Sequence, residues 1–250
     1  MLRDVMYHWL ADRLAPQIDA YTWHRYSMVA PFLIHGPIDA LNIGTGGGIE
    51  TLRLLDCGNH VTTIEYDRGN ADRTRDRVIR SGYAERHVGL YGHILNVELD
   101  KTFHLILMSE VLEHVMDDAG ALRRLAGWLK PGGRLILSTP TASHGQLPGD
   151  TLSVVEDGGH VRVGYDGPEL DAMLAQVGLV TQKRVFGCGA AVAAQLTFER
   201  VVRARSSRVV GPALGLVSRP LMGALDLVPL RPTDQITLAT KLPTAGSAAS

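Results

Sequence analysis

The run Ala40-Leu41-Asn42-Ile43-Gly44-Thr45-Gly46-Gly47-Gly48-Ile49-Glu50 constrains this chain more than any other stretch. A short apolar segment, Ile38 to Ile43, breaks into a glycine-rich turn, and a helical pattern follows from Ile49 to Cys57. Glycines at 44, 46 and 48 remove the Cβ atoms that would hold a ligand away from the backbone. The amides that open the next helix then face that ligand. A second apolar run, Val61-Thr62-Thr63-Ile64, ends in Glu65, whose carboxylate can accept both hydroxyls of a ribose. Strand, glycine turn, helix, strand and acid together describe a nucleoside-binding α/β unit. The spacing is Gly-x-Gly-x-Gly, because residue 49 is Ile, and no Gly-Lys-Ser/Thr follows. Dinucleotide and P-loop fingerprints are therefore both absent.

The rest of the chain extends this unit. Strand patterns at 38–43, 60–65, 87–91, 103–109 and 134–139 alternate with helical patterns at 49–57, 68–80 and 118–129. Lys130-Pro131-Gly132-Gly133 reads as a helix stop feeding a turn. A helix at 168–177 opens on Pro168, and a strand near 180–186 follows. This alternation predicts an α/β fold with a doubly wound, mostly parallel sheet. Residues 140–165, rich in Gly, Pro and His, read as an active-site loop. The expected layout is a single domain over 1–243 and a disordered tail over 244–250. Within that domain, 1–36 is an N-terminal helical cap, 38–186 the core, 189–230 a helical lid and 235–242 the last strand.

Composition narrows the partners. A formal net charge of −1 over 250 residues gives no global attraction to a phosphate backbone, which argues against nucleic acid. Cys57 and Cys188 form no disulfide or metal pattern, so a reducing, cytoplasmic setting is the default. Asp12 and Arg13 interrupt any early signal-peptide core. No apolar run in the last third spans a bilayer. The arginines at 200, 203, 205, 208 and 219 leave two readings: a packed lid with a solvated basic edge, or a surface touching a membrane, a lipid-linked substrate or a second copy in a homodimer.

With these residues in view, the chain resembles the class I S-adenosylmethionine-dependent methyltransferases, most of all their bacterial small-molecule branch. The resemblance runs from about residue 38 to 186. It is carried by Asn42-Ile43-Gly44-Thr45-Gly46-Gly47-Gly48, Ile64-Glu65-Tyr66-Asp67, Phe103-His104-Leu105-Ile106-Leu107, Ser109-Glu110-Val111-Leu112-Glu113-His114-Val115, Leu129-Lys130-Pro131-Gly132-Gly133-Arg134-Leu135, and His160-Val161-Arg162 before Pro168-Glu169-Leu170. It implies a Rossmann-like methyltransferase fold with a seven-stranded sheet, its last strand antiparallel, and S-adenosyl-L-methionine as cofactor. Gly44, Gly46 and Gly48 would admit the methionyl part and Glu65 would hold the ribose, with Tyr66 a further cofactor-binding candidate. Ser109 and Glu110 would line the methionyl side; a helix N-terminal acid is the other reading of Glu110. Asn42 stands where the family usually has an acid for the cofactor's amine end. His93 stands where the family often has an acid for the adenine amino group; it could accept through one ring nitrogen, stack, or sit aside.

The acceptor is less marked. Ser109-Glu110-Val111-Leu112 is not the Asn/Asp/Ser-Pro-Pro-aromatic run of nucleobase amino methyltransferases, and no cysteine follows a proline. A small-molecule hydroxyl is the best remaining acceptor, with a sugar or glycoside favoured. Methylation at carbon or nitrogen of a quinone or secondary metabolite is the alternative, and a non-catalytic S-adenosylmethionine-binding module is the rival outside enzymes. A neutral hydroxyl needs a base, and His114 and His144 are the catalytic candidates. His160, Asp166 and Tyr26 are candidates for acceptor binding. No metal residue is assigned: Glu113, Asp117 and Asp118 would permit a divalent ion, but no ligand spacing demands one.

Overall fold

The computed structural model describes residues 20–142, 151–205 and 232–243. His144, the second half of the expected lid, most of the N-terminal cap and the tail lie outside the described residues. Seven strands form one sheet: β1 (Asp39–Ile43), β2 (His60–Glu65), β3 (His87–Tyr91), β4 (Phe103–Ser109), β5 (Leu129–Pro140), β6 (Leu179–Gly187) and β7 (Asp234–Lys241). Their spatial order is β3-β2-β1-β4-β5-β7-β6. The pairs β1–β2, β1–β4, β2–β3 and β4–β5 run parallel, within a mostly parallel, mixed sheet.

The apolar runs become central strands because a parallel sheet is covered on both faces and needs no polar alternation. Leu41, Phe103, Leu105, Ile106, Leu107 and Met108 have no exposed surface. The helices are α1 (Ala20–Val29), α2 (Ile49–Asp56), α3 (Arg68–Arg80), α4 (Asp118–Trp128), α5 (Gly167–Gln176) and α6 (Ala190–Arg205). Two begin on aspartate caps: Asp67 accepts from the Asn70 amide at 2.7 Å and Asp117 from the Gly120 amide at 2.8 Å. At the other end of α4, the Lys241 ammonium from β7 donates to the Ala126 and Leu129 carbonyls at 2.6 and 2.8 Å. A cation there satisfies orphan carbonyls and the negative end of the helix dipole.

One expectation is corrected. The segment 129–133 was expected to close a helix and turn, with a strand only from 134. Leu129 instead pairs with Phe103, and the pairing shifts register before Leu105 meets Arg134. The Pro-Gly-Gly run is thus carried within β5 as an irregularity, since the strand has a neighbour to follow before and after it.

The chain separates into two compact units. One holds residues up to Pro31 together with Val185–Gln235; the other holds Phe32–Arg184 and Ile236 onward. In the first, α1 packs on α6, and Arg25 faces the buried Asp234 carboxylate at 3.6 Å. Tyr26 is buried on α1 within this unit. Every feature of the cofactor-type motif lies in the second unit.

Within the second unit, Asp171 on α5 is held by Arg184 on β6 at 2.7 and 3.2 Å and by Thr181 at 2.5 Å. The Arg184 hydrogen bonds keep the Asp171 carboxyl below its ordinary value of 3.8. A lowered acid pKa stabilises the fold above the ordinary value and loses that contribution as pH falls through the lowered one. Asp171→Asn should therefore lower the melting temperature at neutral pH. The loss should be small, since the carboxylate is 45% exposed and exposed pairs contribute ~0.2–1 kcal/mol. Thermal melts across pH should show parent and variant drawing together as pH falls from 3.8 through the lowered value; a gap that stays constant over that range would mean that charge is not the cause.

Candidate active site

β1 ends in the glycine turn, and its three key glycines serve different contacts. All have positive φ: 72° at Gly44, 49° at Gly46 and 80° at Gly48. A Cβ on Gly44 would lie 2.2 Å from Val111 Cγ2, and one on Gly48 would lie 2.9 Å from Thr74 Oγ1. Those two glycines let the turn press against its own protein. A Cβ on Gly46 would meet nothing within 4 Å. Gly46 is therefore the position where the backbone faces open space and a ligand can approach.

Glu65, at the end of β2, is buried at 7% exposure and turned toward this loop. Its Oε2 accepts from the Thr45 amide at 2.7 Å, the Thr45 hydroxyl at 2.9 Å and the Gly46 amide at 3.1 Å. Its Oε1 accepts only from the Asp67 amide, at 2.9 Å, among the described residues. One oxygen thus holds the turn, while the other keeps acceptor capacity. Asn42 is fully buried beneath the turn and spends its amide on the Thr51 hydroxyl at 2.9 Å.

The end of β4 adds a second wall. Ser109 is 8% exposed. Glu110 has φ 52°, the left-handed region that non-glycine residues seldom adopt. Its amide donates to the Ser138 carbonyl at 3.1 Å, and its carboxylate accepts from the Ser138 hydroxyl at 2.7 Å. Both bonds pull Glu110 toward β5, which holds the strained turn in place. A short 3-10 turn, Leu112–His114, follows at once.

The segment after β5 docks on that turn. The Val161 amide donates to the Glu113 carbonyl at 2.9 Å, and His114 Nδ1 lies 3.0 Å from the Gly159 carbonyl. A carbonyl only accepts, so Nδ1 is the donor there, while Nε2 faces the buried Glu113 Oε1 at 3.8 Å. The His160 ring meets His114 edge-on, with centroids 4.7 Å apart. Ligand atoms of Glu113, His114 and His160 all lie within 4.8 Å of one another. They are the set whose chemistry would suit a divalent cation, and the Gly159 contact would orient the histidine for it. Arg162 secures the docking through Asp118 at 2.5 Å and through the Val115 and Met116 carbonyls. The Tyr165 hydroxyl donates to Asp118 at 3.0 Å and lies 3.2 Å from the Leu112 carbonyl. Burial and the nearby Asp118 charge push the Tyr165 phenol far up, so it stays a donor.

Other expected residues fall elsewhere. His93 is engaged at both nitrogens: the Leu95 amide donates to Nδ1 at 3.3 Å, and Nε2 lies 2.9 Å from Glu156 Oε2. The reading in which a His93 nitrogen accepts from adenine is thus displaced by these two bonds. Tyr66 is 61% exposed beside it. Asp166 is exposed at the N-cap of α5, without a side-chain cap bond. Glu156 and the Gly159 carbonyl were not anticipated, because nothing local in a polar loop signals what it will dock against. A cavity of about 380 Å³ between α3 and β3 is lined by Arg68, Arg75, His87 and Tyr91 and by none of the residues above.

The glycines separate fold from binding. Gly46→Ala should cost only about the 1–2 kcal/mol of a left-handed alanine, yet weaken S-adenosylhomocysteine binding by calorimetry at least tenfold. Gly44→Ala adds the collision with Val111 to the same backbone strain, and overpacking of this kind costs about 1–3 kcal/mol more. Its melting temperature should fall well below that of Gly46→Ala. Normal binding by Gly46→Ala would place the ligand elsewhere.

Comparison with known proteins places the chain in a family. The sequence matches the methyltransferase domain family over residues 15–183. A ubiquinone biosynthesis O-methyltransferase of Stutzerimonas stutzeri is 30% identical over 99 residues, covering 40% of this chain and 43% of that protein. Its namesake in Xanthomonas euvesicatoria is 30% identical over 131 residues, covering 52% and 55%. The chain spans about half the length of these curated relatives. Among solved structures, an S-adenosylmethionine-dependent methyltransferase from Mesorhizobium loti superposes with a TM-score of 0.62 at 17% identity, over 87% of this chain and 98% of that one. The mitomycin 7-O-methyltransferase MmcR gives 0.52 at 26% identity, over 70% and 50%. The chain therefore belongs to the methyltransferase domain family, in its S-adenosylmethionine-dependent class.

Proposed function

We propose that the protein is an O-methyltransferase whose acceptor is a hydroxyl on a quinone-type ring. The relatives named for ubiquinone biosynthesis O-methylation support this acceptor, while the sugar or glycoside favoured from sequence draws no support from them. The observation that carries the reading is the Gly159 carbonyl 3.0 Å from His114 Nδ1: it accepts the Nδ1 proton, so that Nε2 would be the nitrogen available as a base. A nitrogen or carbon acceptor of ordinary nucleophilicity has less need of it.

When bound, S-adenosylmethionine supplies an electrophilic methyl on a sulfonium. The chain's part is mainly alignment. The open face of Gly46 would receive the methionyl part, with Ser109 and Glu110 beside it. Glu65 Oε1 would accept from a ribose hydroxyl while Oε2 keeps the turn in shape. His114 Nε2 would take the acceptor's proton as the oxygen's electron pair forms the bond to the methyl and the carbon–sulfur pair stays on sulfur. His160, packed against His114, would line the acceptor side. Asp166, Tyr26 and His144 keep their sequence-based assignments as proposals for acceptor binding and catalysis.

His114→Ala should lower turnover by ~10²–10⁴, the usual contribution of a positioned general base, while S-adenosylhomocysteine affinity stays within about twofold. The assay is single-turnover methyl transfer from labelled cofactor to a panel of hydroxylated quinone precursors and sugars. Full turnover by the variant would remove His114 as base. Transfer to sugars alone would remove the quinone-type acceptor, and cofactor binding without transfer to any acceptor would favour a binding module.

A further inference from the structure

The geometry points to Glu156 as the residue that recognises the exocyclic amine of a bound adenine, with His93 and the Met116 amide holding it in place. This deepens the cofactor reading above and rests on it. The carboxyl ends of β1, β2 and β3 stand side by side in the sheet. They carry, in that order, the open glycine turn, Glu65, and the loop containing His93. A nucleoside laid along such strand ends, with its ribose at Glu65, reaches the end of β3 with its base. There the Tyr66 ring is 61% exposed and meets the His93 ring edge-on at 5.3 Å. An exposed aromatic ring beside polar groups suits a flat ring.

The polar partner at that point is a carboxylate, and it comes from a distant loop. Because the Leu95 amide donates to His93 Nδ1, the histidine proton sits on Nε2 and is directed at Glu156 Oε2, 2.9 Å away. Glu156 Oε1 accepts from the Met116 amide at 2.5 Å. Each oxygen then has one donor and retains further lone-pair capacity. An ionised carboxylate accepts only, so the complementary ring substituent is a donor. An amino-substituted purine fits; a 6-oxo purine would set a carbonyl against the carboxylate. Two anchors fix the carboxylate before any ligand arrives, which lowers the ordering cost of recognition.

The test is calorimetric binding of S-adenosylhomocysteine and of its 6-oxo analogue, S-inosylhomocysteine, to the full chain and to Glu156→Ala and Glu156→Gln. The ratio of the two affinities is read, since both ligands bind the same folded molecules and partial unfolding cancels. The parent should prefer the amino compound by about tenfold to a hundredfold, as expected for a hydrogen bond to a charged group. Glu156→Ala should bring the ratio close to one. Glu156→Gln should also lower it, because its amide can turn to donate to the 6-oxo group. A parental ratio in Glu156→Ala, or no preference in the parent, overturns the assignment while leaving the cofactor reading intact. Failure of the parent to bind either nucleoside overturns both.

Discussion

The Glu65 carboxylate is the interaction on which the site depends. A buried charge is tolerable only when its lone pairs are met, and here the Thr45 amide and hydroxyl, the Gly46 amide and the Asp67 amide meet them. The same bonds give the glycine turn its shape. A chain with three left-handed glycines in five residues has little conformational preference of its own, so an outside anchor must choose one arrangement. Glu65 supplies it from the neighbouring strand, and the Thr74 hydroxyl adds a bond to Thr45 at 3.0 Å. The turn is thereby tied to β2 and α3, while the outer face of Gly46 stays open.

A second set of bonds assembles the other wall. Glu110 sits in an unfavourable backbone region that costs of order 1–3 kcal/mol and is kept there by Ser138 on β5. The 3-10 turn that follows is gripped from the segment after β5 by Val161, Gly159, Arg162 and Tyr165. Arg162 and Tyr165 share Asp118, so a donor and a cation converge on one carboxylate at the start of α4. Charge-assisted bonds of this kind are stronger than neutral ones. They explain how the segment after β5 can place His160 beside His114.

The strands were legible to within a residue or two wherever the run was continuous and largely apolar, as in β2 and β4. Burial on both faces leaves a continuous apolar run that few other structures accommodate. The glycine turn and Glu65 stood out as a candidate site in the sequence because the residue types carry the chemistry. β5 was misjudged at its start, since Pro-Gly-Gly is ordinarily a turn signal and only the presence of β4 alongside turns it into an irregular strand.

The amino-acid sequence by itself determined the alternating α/β architecture, the nucleoside-type turn and the acid that follows it, because each depends on residue type and short spacing. The tertiary structure alone decided which glycine faces outward, which oxygen of Glu65 holds the turn, which nitrogen of His114 meets the Gly159 carbonyl, and that Glu156 stands beside His93. Those properties arise from contacts between segments far apart in the chain. A polar side chain in a loop has many partners available to it in sequence, and only packing selects one.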